Sequence, residues 1–191
     1  AVIESLAAKF SKRREQKHAE LRRVNNLAEA LRGRARRHIE KVFTALREPV
    51  SYLAVPDIHL GEGGPDKKNA HWYKFEVVKS GESSRKYVNF TEAHYFVKAS
   101  VRVDRERLVF VTSFHHVGRE LSGIMEVTSF ARLESFEDSD DRDSVSDEFS
   151  PCSMEPFVIT WKTSEADVVD AFDRWLDAAL AVALKVFGDR L

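Results

Sequence analysis

The sequence predicts an α+β protein: an N-terminal helical arm, an antiparallel five- to six-stranded sheet, and a long C-terminal helix packed on one face. Two observations carry this. At both ends of the 191-residue chain, apolar residues recur every three or four positions, the period of a helix. Between them the period drops to two and the links are short, which favours antiparallel neighbours because parallel strands need long crossovers.

The arm comes first, over residues 1–48. Leu21, Val24, Leu27, Leu31, Ala35, Ile39, Val42 and Leu46 share one helical face, and Pro49 ends the pattern. Val2, Ile3, Leu6 and Phe10 form a shorter apolar set on that face. Arg13, Arg14 and Lys17 interrupt it, so the helix is expected either to project into solvent or to break between Ser11 and Glu20.

The second expected unit, residues 49–191, holds the sheet and the final helix. Val50–Val55 reads as a short strand, Asp57–Ala70 as a glycine-rich loop, and Trp72–Val78 as a strand. Tyr87–Val103 reads as one long strand, with Val97, Ala99, Val101 and Val103 alternating against Lys98, Ser100 and Arg102. Leu108–Val117 and Gly123–Leu133 follow as a meander. Residues 134–156 read as a mobile acidic loop, because eight acids against Arg142 alone give a net charge of -7 between Glu134 and Glu148. Phe157–Trp161 is a last strand. Thr163 or Ser164 then caps a helix whose apolar residues run from Val168 to Phe187, and Gly188 is the expected stop.

Composition narrows the function classes. Hydrophobic residues at 43% supply one core, while charged residues at 32%, above the usual quarter, require strongly exposed elements. A formal net charge of -1 gives no global field to steer nucleic acid. One cysteine, Cys152, excludes an intrachain disulfide framework and fits a cytoplasmic protein. No apolar run approaches the ~20 residues of a membrane span, and no membrane association is expected.

Charge is nevertheless unevenly placed. From Lys9 to Arg47 there are 13 basic residues and 4 acids, a net of +9. Arg22, Arg23, Arg32, Arg34, Arg36, Arg37 and Lys41 form the candidate binding face of this segment. Its neighbour is expected to be anionic: the chain's own acidic loop, a protein with an acidic surface, or a phosphate backbone. Nucleic acid is the less favoured partner, since the helix lacks interleaved aromatics for stacking and any recognition motif. Val2, Ile3, Leu6 and Phe10 are the candidate self-association residues, predicting a homodimer.

No catalytic motif is found. Adjacent His115 and His116 point to opposite faces of a strand and cannot share a metal without a kink. Glu92, His94 and His116 are the weak metal candidates that spacing allows. Gly61–Pro65 lacks the ending of a P-loop, and the acidic stretch fails the calcium-loop pattern at Asp143 and Phe149. No cofactor is expected. The leading expectation is a non-enzymatic interaction protein acting through its basic arm. A nucleic-acid-associated protein is the alternative, and a small ligand-binding or metal-dependent hydrolase pocket near the sheet histidines is the second.

Overall fold

A computed structural model describes the backbone of residues 1–46, 57–63, 72–79, 82–89, 93–117, 123–136, 144–151 and 155–191. Its described side chains are those of residues 1–46, 95–117, 123–136 and 155–191. The chain is α+β, with helix α1 (Val2–Ala45) before the sheet and helix α2 (Glu165–Arg190) after it. Between them lie β1 (Asp57–Gly63), β2 (Trp72–Lys79), β3 (Glu82–Asn89), β4 (Ala93–Val103), β5 (Glu106–His116), β6 (Ile124–Phe136), β7 (Ser144–Pro151) and β8 (Phe157–Thr160). No helix among the described residues is long and apolar enough to cross a membrane.

The sheet is antiparallel. Four strands, β4, β5, β6 and β8, carry its described core side chains, fewer than the five to six expected. The backbone of β1 adds to the free edge of β4, while β7 and β8 pair with different parts of β6. Alternation puts Val97, Ala99, Val101 and Val103 on the helix side, each at most 1% exposed. Leu108, Phe110, Phe114, Met125, Val127 and Ile159 join them.

Both helices lie on this one face. Val24, Leu27, Ala28, Leu31, Ala35, Ile39 and Phe43 of α1 belong to the same core as Phe172, Leu176, Ala179, Leu180, Ala183 and Phe187 of α2. An aromatic cluster anchors α2. Phe172 meets Phe157 edge-on at 5.4 Å and stacks on Trp175 at 6.0 Å, and the Trp175 indole donates to the Glu155 carbonyl at 3.0 Å.

Several expectations need correction. The expected Asp57–Ala70 loop begins as strand β1, because the unpaired edge of β4 offers backbone partners that override its glycines. Tyr87–Val103 is two strands: among the described residues β3 pairs with β2 in a separate two-stranded sheet, while β4, β5 and β6 follow one another as the expected antiparallel meander. The expected acidic loop is partly strand. Glu134–Phe136 complete β6, and Ser144–Pro151 pair with it as β7. Glu134 stays buried there because Arg132 at 2.8 Å and Arg107 at 3.1 Å flank its carboxylate. The opposite sheet face is not simply wet either, since Phe96, Val109 and Val111 form a small buried cluster on it. Helix α2 runs through Gly188 to Arg190, and Ser164 is its N-cap. The expected strand at Val50–Val55 lies outside the described residues.

Candidate functional site

Helix α1 is continuous over 44 residues, about 66 Å at 1.5 Å per residue. The expected choice between breaking and projecting is settled at the level of this helix. It stays helical through Ser11–Glu20, where charged and amide side chains satisfy themselves in water; Gln16, for example, donates to Glu20 at 3.4 Å. Residues 1–18 are all exposed, and the first fully buried residue is Val24. The arm is therefore a helix of about 27 Å with no described part of the body beneath it.

Its base is a tight junction. Asn25 Oδ1 accepts a hydrogen bond from His116 Nε2 at 3.2 Å across the end of β5. Glu20 lies beside Gly123, where a Cβ would meet the Trp161 ring at 2.6 Å, so only glycine lets these chains approach. The Trp161 amide donates to the Gly123 carbonyl at 2.9 Å. Beyond this junction the four self-association candidates are open to solvent: Val2 is 75% exposed, Ile3 82%, Leu6 46% and Phe10 61%. They lie on the helical face that, further along, meets the sheet.

The seven basic candidates divide in two. Arg22, Arg23, Arg36, Arg37 and Lys41 are exposed. Arg32 and Arg34 are used within the fold. The Arg32 guanidinium sits 5.2 Å from the Tyr95 ring centre and 3.9 Å from Glu29. Burial, with Glu29 acting in the same direction, raises the Tyr95 phenol above its usual pKa, and Arg32 opposes this.

Arg34 reaches α2. Its Nε donates to Asp173 Oδ1 at 2.7 Å and its Nη2 to Oδ2 at 2.5 Å, a two-pronged pair. One turn on, His38 pairs with Asp177. Both pairs span 139 residues in sequence, so α1 and α2 run parallel with a constant offset. Among the described residues, the anionic neighbour of the basic helix is thus α2, a neighbour that sequence reasoning missed. The spacing of Asp170, Asp173 and Asp177 was the available signal, since positions three and four apart share a helix face.

The histidines do not converge. His116 faces α1 through Asn25, while His115 faces the other side of the sheet, where its Nε2 lies 2.8 Å from Ser113 Oγ. Glu92 and the His94 side chain lie outside the described residues. Among the described residues no three His, Cys, Asp or Glu side chains are grouped to hold a metal ion. No family model, curated protein or solved structure matches the chain.

Proposed function

We propose that this chain is a non-enzymatic interaction protein, cytoplasmic, that self-associates through the arm. The supporting observation is the exposure of Val2, Ile3, Leu6 and Phe10 on an unbroken helix beyond the body. Burying such large side chains is worth about 1.5–3 kcal/mol each, so their presentation on one face favours a partner surface. The test is sedimentation equilibrium of the full chain against a deletion of Ala1–Phe10. A dimer that becomes a monomer on deletion supports the reading. A full chain that is monomeric at high micromolar concentration overturns it.

The exposed Arg22, Arg23, Arg36, Arg37 and Lys41 support a second reading, in which the outer side of α1 contacts a phosphate backbone. Such binding would fall steeply with salt and would survive deletion of Ala1–Phe10, which separates it from self-association.

A further inference from the structure

Helix α2 carries two apolar stripes. One, through Phe172, Leu176, Ala179, Ala183 and Phe187, is buried in the core. The other steps by three or four through Val168, Ala171, Trp175, Ala178, Val182 and Val186. It lies away from Asp173 and Asp177, roughly 100–180° around the helix at 100° per residue. Its C-terminal part is open: Ala178 is exposed, Val182 is 44% exposed and Val186 is 37% exposed.

We infer that this open stripe of α2 on a second copy of the chain receives the arm, antiparallel, with Val2, Ile3, Leu6 and Phe10 against Ala178, Val182 and Val186. This rests on the self-association reading above and names the surface that completes it.

Three observations carry it. The first is length and order. Residues 2–10 and 178–186 each span about 12 Å of helix. On the arm the apolar set precedes a basic run, Lys9, Lys12, Arg13, Arg14 and Lys17. On α2 an acidic run, Glu165 to Asp177, precedes the apolar set. Antiparallel docking therefore matches apolar with apolar and basic with acidic.

Charge is the second observation. Residues 11–23, which this alignment sets level with 165–177, hold six cations against Glu15 and Glu20, a net of +4, so pairing arm with arm would set +4 against +4. Residues 165–177 hold five acids and Arg174, a net of -4. Asp173 and Asp177 are engaged by Arg34 and His38, and Asp167 accepts from Ser164 Oγ at 2.6 Å; Glu165, Asp167 and Asp170 are all exposed and keep the N-terminal part of α2 negative where it lies level with Arg22 and Arg23 of the arriving arm.

The third is reach. The 139-residue offset sets the first residue of α2 about level with Asn26 of α1, so the arm projects past the N-terminus of α2. A two-fold that lays two α1 helices antiparallel then brings each arm alongside the other copy's α2. The small side chain of Ala178 gives Phe10 room to approach.

The test uses the full chain. Val182→Glu with Val186→Glu replaces two exposed side chains, so the fold should survive, as a thermal melt would verify. The double variant should weaken the dimer at least tenfold in sedimentation, about 1.4 kcal/mol. Val158→Glu, on an exposed apolar position of the sheet, should leave it unchanged. In a Cys152→Ser background, Leu6→Cys with Val182→Cys should form an oxidised covalent dimer, and Leu6→Cys with Val158→Cys should not. If deleting Ala1–Phe10 dissolves the dimer while the double variant leaves it intact, self-association stands and this surface is overturned. A monomeric full chain defeats both readings. A monomeric chain that floats with anionic vesicles only when the arm is present would assign the apolar tip to a lipid surface instead.

Discussion

The Arg34 guanidinium holds the Asp173 carboxyl below the usual carboxylate range, chiefly by hydrogen bonding; burial opposes this, and the charges of Arg34 and His38 add to it. A depressed folded-state pKa means that the pair's stabilisation is present above about pH 4 and is lost as pH falls through the folded value. Asp173→Asn should therefore lower the urea midpoint at pH 7, and the gap from wild type should narrow progressively as the pH falls below about 4; a gap independent of pH would contradict this linkage. Position matters as sharply along β4. Val101 is fully buried, so Val101→Asp should unfold the chain, because an unpaired buried charge costs several kcal/mol out of about 5–15. Arg102 stacks 4.1 Å from the Phe136 ring centre and donates from Nε to the Asp104 carbonyl at 3.1 Å. Arg102→Asp should then cost only about 1 kcal/mol, measured by the same melts. Equal tolerance of both changes would refute the register. The inward alternation of Val97–Val103 was legible residue by residue, since a strand's period is fixed by its backbone. The role of Arg102 was not, because Phe136 lies 34 positions away in sequence and only strand pairing brings it near.

At the scale of elements, α1 is two helices in energetic terms. From Val24 to Phe43 its stripe is sealed against the sheet and α2; from Val2 to Phe10 the same face is open. Leu31→Ala should cost about 2–5 kcal/mol of unfolding free energy through lost burial and the cavity left behind. Leu6→Ala should change the stability of the monomeric fold by less than about 0.5 kcal/mol, with the difference read in urea melts below the dimerisation concentration. Comparable costs at the two positions would mean that the arm is buried against its own body. Periodicity identified both stripes, but it could not tell a sealed stripe from an open one. Exposure depends on where the sheet ends, which no local pattern encodes. The acidic segment shows the converse: its composition reads as a solvated loop, yet Arg107 and Arg132 make a strand position habitable for Glu134.

Over the whole molecule, these contacts predict a gradient of protection. Amides of residues 24–43 should exchange at rates close to global unfolding, and those of residues 2–18 orders of magnitude faster when the chain is kept monomeric. Raising the concentration into the dimeric range should slow the arm selectively, and an arm already protected in the monomer would contradict the projecting helix. From the sequence alone came the α+β class, the two terminal helices, the antiparallel pairing and the apolar tip of the arm, because each follows from a backbone period or from local charge. Only the tertiary structure decided which strand takes the edge of β4, that both helices share one face, and that α2 supplies carboxylates to Arg34 and His38. The reason is physical. Periods and propensities act over a few residues, whereas these choices join groups as far as 139 residues apart, and they are settled by which surfaces remain unburied once the local elements exist.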